Sequence, residues 1–385
     1  MLTRKSADVI VIGAGVIGAA CAHYAARSGL RVLVLDRGPV AGGTTGAGEG
    51  NLLVSDKEPG PELELALLSA QLWRELAEEL PSGIEYEAKG GLVVASGEKE
   101  MAALRDLAAR QRAAGVTADE VPADRLHDLE PRLAIGLAGG CHYPQDAQVM
   151  PALAAAHLLR AAGGGRVRVR LGEEVTGLLT GAGGAIRGVR TAAGEYHAPY
   201  VVNAAGAWGG EIARRVEVDL PVRPRRGFIL VTEPLPRVVR HKVYAAGYVA
   251  DVASGSAALQ SSAVVEGTPA GPVLIGATRE RAGFDRTLSV EALRRLAARA
   301  TELFPVLAGV RAMRTYVGFR PYLPDHLPAI GPDPRVPGLL HACGHEGAGI
   351  GLAPATGLVV AQALTGGEPL LDIAPFRPER FSPAA

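Results

Sequence analysis

The chain has 385 residues, 48% of them hydrophobic and 21% charged, which is enough to bury a large core and to form two domains. Because 40 basic and 40 acidic residues cancel, the overall charge argues against nucleic acid or an anionic membrane as a partner. The three scattered cysteines form no CxxC pair and no apolar run is long enough for a membrane span, so we expect a reduced, cytoplasmic protein without disulfides.

Residues 8–36 follow the pattern strand, Gly-rich turn, helix, strand, acid. A β-branched apolar run meets Gly13-x-Gly15-x-x-Gly18, and a second apolar run ends at Asp36. In this pattern Gly13 permits a tight turn, Gly15 lets a pyrophosphate approach the backbone, and Gly18 lets the helix pack closely on the sheet. The helix N-terminus attracts phosphate, and Asp36 is placed to bind ribose hydroxyls. The stretch therefore predicts a dinucleotide-binding unit.

The next segment, residues 42–51, has the sequence GGTTGAGEGN, which contains too many glycines for a regular helix or strand. It offers many backbone N–H groups and the two hydroxyls of Thr44 and Thr45. Its position directly after the second strand of the nucleotide unit favours a loop that contacts the cofactor. A mobile surface loop is the alternative.

The middle of the chain mixes helices and strands. Short connections between the strands of residues 228–278 favour antiparallel pairing. A buried strand that begins at residue 198 ends in small residues, including Ala205 and Gly206, which allow a ligand to approach the backbone. Periodicity predicts helices over residues 61–80, 99–114, 124–129, 151–162 and 291–303, and strands over residues 90–95, 166–169, 175–179 and 186–191.

Five motifs together carry a family resemblance over nearly the whole chain. They are the N-terminal fingerprint, the Thr44-Thr45 loop, the segment 201–208, the motif Gly318-Phe-Arg-Pro321 and the Gly-rich stretch 344–357. In this order they resemble the superfamily of FAD-dependent D-amino acid oxidases, glycine oxidases and sarcosine oxidases. Within it, the region from residue 248 to residue 285 and the stretch GHEGAGIGLAPATG are most similar to the catalytic subunits of bacterial D-hydroxyproline, proline and opine dehydrogenases.

The resemblance implies an α/β fold with two domains. A discontinuous FAD-binding domain of the glutathione-reductase-like Rossmann type would comprise residues 1–84, 146–225 and 311–385. An antiparallel β-sheet with helices would form the substrate-binding domain from residues 85–145 and 226–310. Some sarcosine oxidases attach FAD through a cysteine near the start of the Gly-Phe-Arg-Pro motif. This sequence has no cysteine there, so non-covalent FAD is expected.

The resemblance also implies which residues contact FAD. Val16 and Ile17 would lie at the pyrophosphate, Asp36 and Arg37 at the ribose of the AMP half, and Val175 at the adenine. The Gly-rich turn after the last strand would lie beside the flavin ring, near a helix N-terminus that favours negative charge on the reduced flavin. The full implied set is Gly13, Gly15, Val16, Ile17, Gly18, Asp36, Arg37, Thr44, Thr45, Glu49, Gly50, Asn51, Val175, Ala205, Gly206, His345, Glu346, Gly347, Ala348, Gly349, Ile350 and Gly351.

Arg320 matches the arginine that binds the substrate carboxylate in the resembled superfamily. A guanidinium is also a planar fork that pairs bidentately with a carboxylate, whereas a structural ion pair is the alternative role. Tyr244 and Tyr248 are four residues apart on a predicted strand, so they can share a face and close the pocket or bind the carboxylate. Ordinary half-buried strand tyrosines are the alternative.

The C-terminal Gly-rich stretch holds two further candidates. His345 is placed to tune the flavin, and a solvated or core histidine is the alternative. Glu346 is either a pocket residue or a carboxylate at a helix start. It stands where some relatives carry a second basic residue, so a clamp of two cations on the substrate is not expected. The histidines His326, His341 and His345 lack ligand spacing, so no metal site is expected.

The resemblance implies an enzyme that oxidises the C–N bond of a small amino or imino acid, such as a D-amino acid, glycine, sarcosine, proline, hydroxyproline or an opine. The amine would enter neutral, and hydride would pass from the α-carbon to flavin N5 without a required protein base. The alternatives are a 2-hydroxy acid or glycerol-3-phosphate type dehydrogenase and a non-catalytic FAD-binding subunit. The electron acceptor is O₂ or a partner flavoprotein, iron–sulfur protein or quinone, and the subfamily favours a partner.

Overall fold

The computed structural model describes residues 6–80, 83–162, 164–248, 256 and 258–382. Its helices are α1 (Val16–Arg27), α2 (Pro61–Glu79), α3 (Glu98–Ala113), α4 (Leu126–Leu129), α5 (Pro151–Ala161), α6 (Gly209–Arg214), α7 (Val290–Leu303) and α8 (Gly349–Thr365). Its strands are β1 (Val9–Ile12), β2 (Val32–Asp36), β3 (Asn51–Leu52), β4 (Gly91–Ala95), β5 (Asp119–Pro122), β6 (Gly139–Tyr143), β7 (Ala147–Gln148), β8 (Val167–Leu171), β9 (Val175–Thr180), β10 (Ile186–Thr191), β11 (Gly194–His197), β12 (Tyr200–Asn203), β13 (Arg223–Thr232), β14 (Lys242–Ala245), β15 (Gln260–Gly267), β16 (Val273–Arg279), β17 (Ala312–Tyr322), β18 (Ala329–Pro332) and β19 (Leu339–Cys343). None of the described helices combines the length and the apolar character that crossing a membrane requires.

A six-stranded sheet carries the N-terminal fingerprint. Its order is β18-β19-β12-β1-β2-β8, and neighbours run parallel except β18, which is antiparallel to β19. β1 is buried at every residue, which accounts for its unbroken β-branched run. α1 and α8 pack closely because Gly357 lacks a side chain, and a Cβ there would lie 2.6 Å from the carbonyl carbon of Ala20.

An eight-stranded sheet has the order β17-β13-β16-β15-β14-β4-β6-β5. Its described neighbours are antiparallel except β14 and β4, which run parallel. α7 packs on β13, β15 and β16 through buried positions that include Leu296 and Ala300. The antiparallel pairing predicted for residues 228–278 is therefore confirmed. The parallel and antiparallel sheets together form the predicted α/β fold class.

Strand β17 differs from the predicted division of the chain. It pairs with β13 from Arg223 opposite Tyr322 to Thr232 opposite Ala312, so it belongs to the eight-stranded sheet. The sequence interpretation had assigned residues 311–385 to the FAD-binding domain. The local sequence pattern does not show which sheet β17 joins, because a strand that follows a helix can extend either sheet. Only tertiary packing selects the neighbouring strand. The two-domain division stays a prediction.

Two smaller sheets complete the fold. The strands β9, β10 and β11 form a β-meander in the order β11-β10-β9, which includes the strands predicted over residues 175–179 and 186–191. β3 pairs with β7. β14 ends at Ala245, so Tyr248 lies beyond the strand on which it was predicted. Within the region from residue 248 to residue 285, residues 249–255 and 257 lie outside the described residues.

Candidate functional site

A cavity of about 390 Å³ opens at the carboxyl ends of β1, β2, β12 and β19, which is where open α/β sheets bind ligands. Its wall combines the glycine turn after β1 with the loop 42–51, the turn after β19, and residues of the eight-stranded sheet. Of the predicted cofactor contacts, the wall includes all except Gly18, Gly50, Ala348 and Gly351.

The four exceptions belong to the packing behind the wall. A Cβ at Gly18 would lie 2.0 Å from the carbonyl oxygen of Gly13, which agrees with the predicted role of Gly18 in close packing. A Cβ at Gly50 would lie 1.8 Å from a carbonyl oxygen in the segment before α5. Ala348 and Gly351 form the first turn of α8 and its cap. These positions shape the cavity without facing it.

The glycine turn leaves room for a phosphate at the start of α1. Gly13 has a φ of +114°, and a Cβ there would lie 2.4 Å from the carbonyl oxygen of Ala204, so only glycine fits. Gly15 lines the cavity and presents no side chain to it. The Val16 N–H donates to the hydroxyl of Thr45 at 3.0 Å, which ties the loop 42–51 to the helix N-terminus.

Thr44 anchors the other side of the same loop. Its hydroxyl donates to the carbonyl oxygen of Phe319 in β17. With both threonine hydroxyls bonded to separate elements, the loop is held between α1 and the eight-stranded sheet. This arrangement argues against the mobile surface loop that the sequence left open.

The acid at the end of β2 is fixed by two backbone donors. The N–H of Ala14 donates to Oδ2 of Asp36 and the N–H of Gly38 donates to Oδ1, each at 2.7 Å. Each carboxylate oxygen keeps acceptor capacity for a ribose hydroxyl. Next to it, the guanidinium of Arg37 lies 4.3 Å from the ring centroid of Trp208, which also lines the cavity.

Arg320 reaches the cavity from β17. Its Nη1 donates to the carbonyl oxygen of Thr278 at 2.8 Å, and it forms no ion pair with a carboxylate in the described part of the chain. Gly227 makes room for it, since a Cβ there would lie 2.2 Å from Nη1. Burial and the charge of Arg279 lower the pKa of Arg320, which stays cationic because an arginine pKa begins above 12.

The two predicted tyrosines occupy different places. Tyr248 is buried and lines the cavity, and its ring packs edge-on against Tyr244 at a centroid distance of 5.2 Å. Tyr244 lies behind it, with its hydroxyl 2.6 Å from Oγ of Ser55, and is absent from the cavity wall. The expectation that Tyr244 itself touches the substrate therefore does not match the geometry. The chain turns after β14 ends, so the two rings meet edge to face instead of sharing one strand face.

Arg279 is a residue that sequence reasoning missed. It is 4% exposed, its guanidinium lies 4.9 Å from the ring centroid of Tyr248, and its Nη1 has no hydrogen-bond partner. It supplies a second cation near Arg320, from β16 and not from the C-terminal loop where some relatives carry one. No local signal marks it, because its importance comes from burial and from a neighbour distant in sequence.

The turn after β19 brings His345 and Glu346 to the wall. His345 is buried, its Nε2 lies 3.0 Å from Oγ1 of Thr356, and its Nδ1 has no partner. Burial lowers the pKa of His345 to about 3, so the imidazole is neutral at physiological pH. Glu346 is not free to bind a ligand as a lone charge, because Arg225 donates to it at 2.6 Å and His326 lies 2.9 Å from it.

Glu49 and Asn51 line the same cavity beside Arg320. Glu49 is 8% exposed, and its Oε1 has no hydrogen-bond partner. The Asn51 Nδ2 donates to Oε2 of Glu49 at 3.3 Å, while Oδ1 of Asn51 has no partner. Burial raises the pKa of Glu49 to about 7, and the nearby cations Lys242 and Arg320 limit the rise.

These residues fit FAD. A side-chain-free glycine turn meets a helix N-terminus, a positioned acid ends the second strand, and an extended cavity continues from there to the turn after β19. Cys343 is the one cysteine on the wall. Burial raises its pKa to about 12, so it is an unreactive thiol and agrees with non-covalent binding. The fold and the site therefore define a dinucleotide-binding oxidoreductase with a second, mostly antiparallel sheet.

Residues 8–363 match the family model of the FAD dependent oxidoreductases. The chain is 33% identical over 383 residues to a glycine oxidase of Pseudomonas putida, covering 97% of this chain and 99% of that protein. The solved glycine oxidase of Geobacillus kaustophilus superposes with a TM-score of 0.89 at 30% identity and covers 98% and 100% of the two chains. The L-proline dehydrogenase of P. horikoshii gives a TM-score of 0.88 at 25% identity, with 98% of each chain covered.

The chain belongs to the FAD-dependent oxidoreductase family. This confirms the predicted superfamily, the predicted fold class, the assignment as an enzyme and the predicted cofactor FAD. The roles of the individual site residues stay predictions.

Proposed function

We propose that this enzyme oxidises the C–N bond of a small amino or imino acid whose carboxylate is bound by Arg320. Oxidation of the C–N bonds of small amino acids is the activity that the family and its glycine oxidase relatives support. The observation that carries the assignment of Arg320 is its unpaired guanidinium on the cavity wall. By contrast, the neighbouring arginines Arg225 and Arg226 pair with Glu346 and Glu280. A cavity-lining guanidinium without a carboxylate is suited to a carboxylate ligand.

Different residues would bind FAD and orient the substrate. The glycine turn, Asp36 and the loop 42–51 would hold the ADP half of FAD, and the turn after β19 would hold its ring. When bound, FAD supplies the two-electron redox chemistry. Arg320 would fix the substrate carboxylate and thereby the direction of the α-carbon, and the buried ring of Tyr248 would exclude water. Neutral His345 would add no positive charge to this part of the site.

The substrate range and the electron acceptor extend the proposal. The names of the relatives point to glycine and to proline, which are a primary and a secondary amine of small size. We propose a partner flavoprotein or iron–sulfur subunit as the acceptor, on the strength of the resemblance to dehydrogenase catalytic subunits. A cytoplasmic location is proposed as well, because all three cysteines are buried and unpaired.

A substrate panel tests the proposal. The yellow holoenzyme is mixed anaerobically with glycine, sarcosine, D-proline, L-proline, hydroxyproline, a 2-hydroxy acid and glycerol 3-phosphate, and bleaching of the flavin band is recorded. Reduction by an amino or imino acid is expected, whereas reduction by only the last two compounds would contradict the proposal. Repetition in air, with and without an artificial acceptor, separates an oxidase from a dehydrogenase.

A variant pair tests the role of Arg320. Arg320→Ala should raise KM for the amino acid about 10- to 100-fold, because it removes charged hydrogen bonds worth about 1.5–3 kcal/mol. The matched control is Arg314→Ala, which removes an exposed arginine of the same strand whose guanidinium donates to the hydroxyl of Tyr316 and lies over its ring. A normal KM in Arg320→Ala would remove the carboxylate assignment.

A further inference from the structure

Two buried acceptor atoms on the cavity wall lack donors. They are Oε1 of Glu49 and Oδ1 of Asn51, two residues apart at the end of the loop 42–51. Buried polar atoms in folded proteins are almost always hydrogen-bonded, and an unpaired one costs about 1–3 kcal/mol. Two unpaired acceptors in neighbouring residues of the cavity wall therefore indicate that a ligand brings hydrogen-bond donors to this place.

The structure keeps space for the carboxylate of Glu49. Gly276 of β16 faces it, and a Cβ there would lie 2.4 Å from Oε2. The amide of Asn51 donates to the same oxygen, so Oε1 is the atom left over. No ion pair joins Glu49 to Arg320, although both line the cavity and their charges influence each other. An anionic acceptor and a cationic donor thus share one cavity without neutralising each other.

The charged groups around Glu49 come from three strands. Lys242 of β14 and Glu266 of β15 form a buried ion pair with each other, so their opposite charges largely offset at Glu49. Arg320 of β17 adds positive charge. Tyr248 is buried near enough to Glu49 to feel its charge, and burial raises the pKa of Tyr248. None of these groups satisfies Oε1.

The cavity complements a zwitterion. Arg320 can donate to a carboxylate, while Glu49 and Asn51 can accept from an ammonium group on the adjacent carbon. We propose that Glu49 and Asn51 form the amine-binding half of the substrate site, and that Glu49 takes the proton of the substrate ammonium before oxidation. This inference rests on the proposed oxidation of a C–N bond.

The proton step is balanced and needs no further reactant. One N–H bond of the ammonium breaks and one O–H bond forms at Oε1 of Glu49, so the substrate becomes a neutral amine and Glu49 a neutral acid. No electrons leave the substrate in this step. Burial has raised the pKa of Glu49 to about 7, which is in the range that suits a base at neutral pH. The family resemblance implies hydride transfer without a required protein base, so a base at Glu49 is an addition to that mechanism.

The proposal sets the substrate class. An ammonium group gives Glu49 a charge-assisted hydrogen bond, which is roughly twice as strong as the neutral bond that a hydroxyl gives. The site should therefore select primary and secondary amino acids over 2-hydroxy acids of the same shape, and it should not bind quaternary amines through this contact, because they carry no N–H.

Two inert probes test the selection without turnover. 2-Aminoisobutyrate and 2-hydroxyisobutyrate differ only in the amine, and neither has a hydrogen on the α-carbon that could be removed. Their binding to the oxidised holoenzyme is measured by calorimetry and by perturbation of the flavin spectrum. The wild type should prefer the amine about 5- to 30-fold, which corresponds to the difference of order 1–2 kcal/mol between a charged and a neutral hydrogen bond.

The variants separate the amine contact from folding and from cofactor binding. Glu49→Gln should lower affinity for the amino probe about 10- to 100-fold and change the hydroxy probe little. Asn51→Leu removes the second acceptor together with the amide that donates to Oε2 of Glu49, and it should reduce the same preference. The matched control is Glu62→Gln, which changes a half-buried carboxylate that is absent from the cavity wall and should leave the preference intact.

The pH profile of kcat/KM tests the proton step. With the best substrate of the panel, the deficit of Glu49→Gln should be greatest near pH 7 and should shrink as rising pH deprotonates the amine in solution. A deficit that is equal at all pH values would overturn the role of Glu49 as a base. Unchanged probe preference in both variants would overturn the amine site. If Glu49→Gln with such a preference also bound FAD more weakly, Glu49 would serve the cofactor and not the substrate amine.

The experiments distinguish failure of the proposed function from failure of the amine site. If no amino or imino acid bleaches the flavin and neither probe binds, the proposed function is wrong and the amine site falls with it. If amino acids bleach the flavin but Glu49→Gln and Asn51→Leu treat the probes as the wild type does, only the amine site is wrong.

Discussion

Replacement of Gly227 by alanine should disable the carboxylate site without touching the substrate directly. Gly227 lies in β13 beside Arg320 of the neighbouring β17, and a Cβ there would lie 2.2 Å from Nη1 of Arg320 and 2.5 Å from the carbonyl oxygen of Thr278. Both distances are far below a van der Waals contact. The guanidinium must therefore move, and it loses the 2.8 Å hydrogen bond that now fixes its direction.

The expected loss in kcat/KM is the loss of the hydrogen bonds between the guanidinium of Arg320 and the substrate carboxylate. Its charged hydrogen bonds to a carboxylate are worth about 1.5–3 kcal/mol, so kcat/KM for the amino acid should fall about 10- to 150-fold in Gly227→Ala. The clash with the carbonyl oxygen is an overpacking of β13 against β16 and should lower the free energy of unfolding by about 1–3 kcal/mol. FAD content should stay near that of the wild type.

A double-mutant cycle with Arg320→Ala distinguishes this mechanism from general damage. If Gly227→Ala acts through the guanidinium, the double variant should be no slower than Arg320→Ala alone, because the two changes remove one interaction. Gly309→Ala is the matched control, since nothing lies within 4 Å of its added Cβ. Full additivity of the two losses, or a normal kcat/KM in Gly227→Ala, would refute the reasoning.

Three further outcomes are expected. Asp36→Ala should weaken FAD binding about 10- to 100-fold in titrations of the apoprotein, because two backbone N–H groups and the ribose lose their acceptor. Lys242→Met should lower the free energy of unfolding by about 3–5 kcal/mol in urea, since it leaves Glu266 buried and unpaired, and a second change of Glu266→Met should recover part of it. Burial raises the pKa of Asp333, but hydrogen bonds from Arg335 and a buried histidine outweigh it and hold the pKa well below the ordinary value. This contribution is fully present above pH of about 3.9 and is lost as pH falls below it, so Asp333→Asn should destabilise at pH 7 and differ less from the wild type in acid.

Each of these has an outcome that contradicts it. Unchanged FAD affinity in Asp36→Ala would mean that the acid is structural and not a ribose ligand. A double Lys242→Met/Glu266→Met variant that is no more stable than the single one would argue against an unpaired buried charge as the cause. A stability difference for Asp333→Asn that stays constant from pH 7 into acid would rule out proton linkage at this carboxyl.

Much of the nucleotide half was predictable because its signals are local. The turn at Gly13 needs a positive φ and a missing Cβ, and both requirements appear directly in the residue type. The buried run of β1 and the acid at the end of β2 are read from the same short stretch. The resemblance then added FAD, which the fingerprint alone could not separate from NAD.

The residues around Arg320 were harder to predict, because the residues that contact one another there are distant in sequence. Arg320 was found through its motif, but the niche that holds it depends on Gly227, and the second cation Arg279 had no signal. Tyr244 was placed on the substrate because it precedes Tyr248 by four residues, yet β14 ends between them. Strand ends and sheet partners depend on packing against the rest of the molecule.

The sequence by itself determined that a dinucleotide unit begins this chain, because turn geometry and strand burial are encoded within some thirty consecutive residues. Only the tertiary structure decided which atoms of the cavity are left without partners. Glu49 and Asn51 were grouped with the cofactor by position, but whether an acceptor is satisfied depends on every element packed around it. Because of this non-local property, two residues of a glycine-rich loop form a candidate amine site in the cavity that Arg320 also lines.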